Sequence, residues 1–242
     1  PPRYPSQEPV NMALPSLRVV RALIALMRNP TETHHVFTII EGMTGDTHRR
    51  LAKRLRATPE GSRLLAERPD ILPRLADRPA LSALPDGSLG RAYLDFLDRE
   101  QIDAEGLVAA SDAGESAAHR TRSEEEVWVA NRMRDIHDLW HVLTGLQGDV
   151  SGEASILAFT TAQTGHKGSL LMALVAVLKA RNPDVARRVA TAWLSGKRAA
   201  FLLGFRFEDH LASPLDEVRQ ALGIEPQAPY RRLRPDWTLD AA

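Results

Sequence analysis

The sequence predicts an all-α fold, a bundle-like single domain with a metal site on a helix-turn-helix. Three observations carry that expectation. No stretch sustains the apolar/polar alternation of a half-buried strand, and no Asn-Gly or Asp-Gly pair joins two β-branched runs. Helix punctuation recurs along the chain, at Asn29-Pro30, Thr58-Pro59-Glu60 and Ser123-Glu124-Glu125-Glu126. Leu89, Tyr93, Phe96 and Leu97 fall on one side of a helix, as an amphipathic segment requires.

Taken in order, residues 1–13 are Pro-rich and read as irregular. Leu14 to Arg28 reads as a helix closed by Asn29-Pro30, and Thr31 opens a second helical stretch to about Ala57. Thr58 is an N-cap with Pro59 at the first helical position. Pro69, Pro73, Pro79 and Pro85 break residues 67–88 into turns and loops. A short helix covers Ser88 to Arg99, and small polar residues from Ser111 to Thr121 read as a surface loop. Ser123 with Glu126 makes a capping box for a long helix to about Leu143, its acidic first turn suiting the helix dipole. Gly145, Gly148 and Gly152 bound a turn, and a helix follows from Glu153 to about Gln163. Further helices are expected over Gly168–Ala180, Pro183–Leu194 and Leu215–Leu222. The chain thus reads as an irregular segment 1–13, one domain 14–224 and a Pro/Arg-rich tail 225–242, with no internal repeat.

The bulk numbers narrow the function. The chain has 242 residues, 43% apolar and 26% charged, enough for a sizeable core. Lys plus Arg equals Asp plus Glu at 31 each, so the basic excess of a nucleic-acid binder is missing. There is no cysteine, which excludes disulfides, thiolate metal sites and cysteine nucleophiles. The longest apolar run, Leu170 to Leu178, is far below the roughly 20 residues of a membrane span.

The informative stretch is His137-Asp138-Leu139-Trp140-His141, with Glu153 after eleven intervening residues. On a helix, positions 137 and 141 lie about 40° apart, and 138 lies about 60° from 141, so the three polar groups share one arc. Two imidazoles at i, i+4 are a standard helical grip on a metal, and an adjacent carboxylate adds charge that a hard or borderline cation favours. A helix starting at Glu153, beyond the glycine-bounded turn, can return its carboxylate to the histidines. The logic is that of zinc metallopeptidases, except that Asp138 replaces the longer glutamate and sits where it can be a ligand rather than a base.

At these residues the chain resembles the coenzyme Q biosynthesis protein four family, whose hallmark is HDxxH, eleven residues, then E. The likeness extends to Thr58-Pro-Glu-Gly-Ser-Arg-Leu-Leu-Ala-Glu-Arg-Pro69, Leu84-Pro-Asp-Gly-Ser-Leu-Gly-Arg-Ala-Tyr93, Arg132-Met133-Arg134-Asp135, Gln163-Thr164-Gly165, Gly196-Lys197-Arg198 and Leu215 to Ile224. It covers residues 38–224. The resemblance implies an all-α fold and a divalent ion on His137, Asp138, His141 and Glu153, zinc foremost, with iron, cobalt and manganese as further options. It implies removal of the C1 carboxylate, linked to hydroxylation at that carbon, from a polyprenylated hydroxybenzoate precursor of ubiquinone. It also implies peripheral contact with a membrane and association with other enzymes of the pathway. The place would be the cytoplasmic face of a bacterial inner membrane, or the matrix side of the mitochondrial inner membrane. Zinc does not change oxidation state, so a redox step would need another metal or oxygen chemistry away from it.

Asp138 and Arg134 are the catalytic candidates. Arg134 lies three residues before His137, where it can pair with Asp138, meet a substrate carboxylate, or make an ordinary ion pair with a nearby acid. Asn11 to Asn29 has no acidic residue, and Arg18, Arg21 and Arg28 fall within about 80° of helical arc, as in a helix lying on an anionic membrane. The same helix suits a homodimer contact equally well. Leu170–Leu178 reads as the lining of a groove for a prenyl tail or, alternatively, as a core helix. His34, His35, His48, His119, His166 and His210 receive no role. Two alternatives stand beside the decarboxylase: a non-catalytic lipid-binding scaffold for pathway enzymes, and a metal-dependent hydrolase.

Overall fold

The computed structural model describes residues 42–102 and 122–234, with Val19, Arg21, Thr38, Ile39 and Thr238. Expectations for residues 1–13, for most of Leu14 to Arg28, for Ser111–Thr121 and for His34, His35 and His119 lie outside the described residues. Among the described residues the structure is helical and holds no strand beyond an isolated antiparallel bridge between Ser88 and Pro214. The chain forms two compact units, one containing His48–Gly145 and Ala199–Gln227, the other containing Leu146–Arg198.

The first unit begins with α1, Thr47–Arg56. The expected single stretch from Thr31 to Ala57 is interrupted here, because Gly45 takes φ of 52° in the turn that precedes α1. α2, Pro59–Glu67, starts as predicted: the Thr58 hydroxyl accepts from the Gly61 amide at 3.1 Å. The proline-broken stretch holds more structure than loops. Pro73 and Pro79 sit in the first turns of α3, Leu72–Ala76, and α4, Arg78–Ser82, where a missing N–H costs nothing. α5, Leu89–Glu100, is capped by Ser88 and buries Leu89, Tyr93, Phe96 and Leu97.

The long helix expected over Ser123–Leu143 is two helices. α6, Glu124–Asp135, carries the capping box, with Ser123 and Glu126 exchanging both bonds. α7, His137–Thr144, follows after Ile136, whose φ of −92° and ψ of 4° step out of helical geometry. α7 ends at Gly145, in left-handed conformation with φ of 72°. Arg219, from α11, Leu215–Leu222, donates to the Val142 and Leu143 carbonyls at 2.9 and 3.0 Å, satisfying acceptors that the helix end leaves open. Arg132 of α6 is buried and grips the Glu208 carboxylate at 2.6 and 3.1 Å, and also donates to the Leu203 and Phe205 carbonyls. These bonds fix the C-terminal half of α6, and with it the approach to α7.

The second unit is built on α8, Val150–Thr164, with α9, Lys167–Ala180, and α10, Pro183–Arg198, packed on it. Small residues let the helices close. Ala154, Ala158 and Ala173 form the core with Val185, Val189 and Leu233. A Cβ at Gly196 would lie 2.8 Å from the Phe159 carbonyl oxygen, so α10 approaches α8 where only glycine fits. The Leu170–Leu178 run is divided: Met172, Ala173 and Val175 are buried, while Leu170, Leu174 and Leu178 are 41%, 51% and 69% exposed. Among the described residues no helix is long and apolar enough to cross a membrane.

Candidate metal centre

α7 presents its two imidazoles one turn apart. The Nε2 atoms of His137 and His141 are 3.3 Å apart, and the rings meet edge to face with centroids 5.0 Å apart. His141 is buried at 1% exposure, and Phe96 of α5 stacks on it at 5.3 Å with the planes 29° apart. That stack and the buried Leu139, Trp140, Val142 and Leu143 hold the helix in place around the ring.

Glu153 is the fourth residue of α8, not its first, because Asp149 caps the helix earlier than expected. The Asp149 carboxylate accepts from the Ser151 and Gly152 amides at 3.2 Å each, from the Tyr230 hydroxyl at 2.8 Å and from the Leu233 amide at 2.8 Å. The Gln147 amide donates to the Tyr230 hydroxyl at 2.9 Å, and the Arg188 guanidinium lies 3.6 Å over the Tyr230 ring. Burial, and then the Asp149 charge, raise the Tyr230 phenol well above its ordinary range, which keeps it a donor. Of the three turn glycines only Gly145 has positive φ. Gly152 serves instead as a close-approach point: a Cβ there would lie 1.8 Å from the Gln147 carbonyl oxygen and 2.5 Å from the Tyr230 hydroxyl.

His137 and His141 of the first unit and Glu153 of the second can each offer one ligand atom. Two nitrogens each about 2.0–2.1 Å from a tetrahedral ion stand about 3.3 Å apart, which is the separation of the two imidazoles. The donor set of two neutral nitrogens and one carboxylate suits a borderline divalent cation and leaves a position open for water or substrate. The residues present therefore fit a metal.

Asp138, half-buried in the first turn of α7, is not among the clustered atoms. Arg134 pairs with Asp135 at 2.9 Å, the nearby-acid pairing among the three expected for it. Burial raises the Asp135 carboxyl above its ordinary value, and Arg134 opposes that rise without cancelling it. Arg134 and Asp135 line a cleft of about 230 Å³ together with Asp70, Trp128 and Asn131. His166, which the sequence left without a role, caps α9: its Nδ1 accepts from the Ser169 amide at 3.1 Å, and its Nε2 lies 3.1 Å from the Thr44 hydroxyl.

Sequence reasoning missed Asp149, Tyr230 and the stacking role of Phe96. Asp149 carried a readable signal, an N-cap residue type immediately before the apolar Val150 and with an acidic residue in the turn that follows. Tyr230 carried none, because its partner is 81 residues away.

The sequence profile of a family described as coenzyme Q (ubiquinone) biosynthesis protein Coq4 matches residues 4–228. The mitochondrial ubiquinone biosynthesis protein COQ4 homolog of Danio rerio is 33% identical over 92% of this chain and 80% of its own length. The corresponding Aspergillus flavus protein is 31% identical over 97% of this chain and 81% of its own. A crystal structure from Nostoc punctiforme, described as a ubiquinone biosynthesis protein, is similar in fold with a TM-score of 0.59. At 21% identity it covers 85% of this chain and 96% of that one.

Proposed function

The chain belongs to the coenzyme Q (ubiquinone) biosynthesis protein Coq4 family, and from that premise we propose that it removes the C1 carboxylate of a polyprenylated hydroxybenzoate in a metal-dependent step linked to hydroxylation at that carbon. The role in ubiquinone biosynthesis follows from the family; the reaction is our reading. The observation that carries it is the pair of imidazoles on α7, His137 and His141, with Nε2 atoms 3.3 Å apart, to which Glu153 can add a carboxylate. A bound divalent ion, zinc foremost and iron, cobalt or manganese compatible with the same donors, would supply positive charge for an oxygen of the aromatic acid; the linked hydroxylation would take one oxygen atom from O2 and two electrons from an external reductant, releasing carbon dioxide and water.

The residues of this chain do the positioning. Phe96 and the buried side of α7 hold the His141 ring, so both imidazoles are aimed before anything binds. Asp149 and Tyr230 fix the first turn of α8, from which Glu153 projects. Asp138 and Arg134 are assigned to the edge of the site. Asp138 adds negative charge beside the cation, and Arg134, on the wall of the polar cleft, is placed to meet a carboxylate. The exposed Leu170, Leu174 and Leu178 support contact with a prenyl tail or with the bilayer that holds it. Peripheral membrane association, a homodimer and contacts with other pathway enzymes belong to the same proposal.

The test is Glu153→Ala in the full chain, assayed by release of labelled carbon dioxide from a prenylated hydroxybenzoate. A folded variant should lose activity by roughly 100-fold or more, since a group that touches the ion matters at least as much as the partners behind it, whose loss costs about 10–100-fold. A folded variant that still supports ubiquinone production would replace the enzyme with the scaffold reading.

A further inference from the structure

Tyr93 is buried at 0% exposure, and its hydroxyl has no hydrogen-bond partner among the described residues. Leaving such a group unsatisfied costs stability, so a natural chain that retains one calls for an explanation. The position supplies it. α5 packs on α7, and Phe96 of α5 stacks on His141 of α7. Three residues back along each helix stand Tyr93 and Asp138, which shares the helix face of His141. Burial raises the Tyr93 phenol well above its ordinary range, and the charges of Asp138 and then Asp135 raise it further, with Arg78 opposing. The phenol is thus a buried, unpartnered donor on the helix that packs against the metal motif, one turn back from Phe96 as Asp138 is one turn back from His141.

We propose that Tyr93 is a positioning residue of the metal centre, its buried hydroxyl donating to the Asp138 carboxylate when an ion is bound and so orienting that carboxylate toward the cation or its water. The proposal rests on the metal reading above. It also assigns Asp138 a place: outside the cluster of three ligand atoms, yet tied to the same site through α5. Carboxylates beside metals are commonly held by such outer partners, and losing one weakens metal binding by 10–100-fold.

The test is a double-mutant cycle on the full chain: wild type, Tyr93→Phe, Asp138→Asn and the double variant. Zinc affinity is measured by competition with a chelating dye, and melting is followed without metal. Tyr93→Phe should weaken zinc binding by about 10-fold. Its metal-free melting temperature should hold or rise, because the change removes a hydroxyl and nothing apolar. In the Asp138→Asn background the same change should have almost no further effect. Unchanged zinc affinity in Tyr93→Phe, or losses that simply multiply in the double variant, would overturn the role of Tyr93 and leave the metal centre standing. A wild type that binds no zinc, iron, cobalt or manganese would remove the metal centre, and the Tyr93 role with it. A loss of affinity accompanied by a lower metal-free melting temperature would also count against it, since that is the signature of a packing role.

Discussion

The two sides of the candidate centre are held by opposite means. The histidines ride on α7, fixed by apolar burial, a ring stack from Phe96 and a capped helix end. Glu153 rides on α8, whose start is fixed by a polar knot in which one carboxylate, Asp149, accepts four hydrogen bonds. Apolar packing loses stability in proportion to the volume removed. A buried polar knot answers instead to which hydrogen bonds are kept, because removing one member leaves its partners unsatisfied. The histidine side should therefore respond to the volume of a substitution, and the Glu153 side to its hydrogen-bonding capacity.

Several substitutions would break or sharpen this contrast. Phe96→Ala should have the largest effect, costing about 3–5 kcal/mol as a buried aromatic truncation. At 2–4 °C per kcal/mol for a chain of this size, calorimetry should show a fall of roughly 6–20 °C. Phe96→Leu should recover most of that stability while losing the ring stack, which separates packing from orientation of His141. On the other side, Gly152→Ala places a methyl against the Gln147 carbonyl and should cost about 1–3 kcal/mol in urea unfolding. Asp149→Ala should cost about 1–2 kcal/mol for the cap alone, with Asp149→Asn restoring much of it. Equal melting of the alanine and asparagine variants would mean that the knot does not hold α8. Tyr230→Phe should cost about 1 kcal/mol, the worth of an ordinary hydrogen bond.

The smallest effect concerns pH, at the approach to α7. The folded Asp135 carboxyl titrates above its unfolded value, so its contribution to stability is fully present at acid pH and is lost as pH rises through the folded value. Asp135→Asn should thus melt slightly higher than wild type at neutral pH, and the difference should shrink as pH falls below the ordinary carboxylate range. A gap that widens on acidification would reverse the sign of this argument.

Local chemistry was legible in the sequence where it acts locally. The caps at Thr58 and Ser123 depend on residues three apart, and the spacing of His137 and His141 depends on one turn of helix. The step at Ile136 was hidden because nothing in Asp135-Ile136-His137 breaks a helix; backbone bonds from Ile136 to Arg132 and from Trp140 to Ile136 carry the chain across it. The start of α8 was misplaced by three residues because the glycines drew attention from Asp149. Its partners, Tyr230 and Leu233, are brought by tertiary folding from more than 80 residues away. Asp138 was read as a ligand from helical arc and from the family's motif; the grouped ligand atoms belong to His137, His141 and Glu153, and arc does not fix how far a short carboxylate reaches.

The central claim is that one divalent ion sits on His137, His141 and Glu153. Elemental analysis of the purified full chain, beside a folded His141→Ala variant, tests it most directly. The account predicts about one divalent ion per wild-type chain, retained through gel filtration and lost in the variant. A wild type without stoichiometric metal, or a metal content that His141→Ala leaves unchanged, would contradict it.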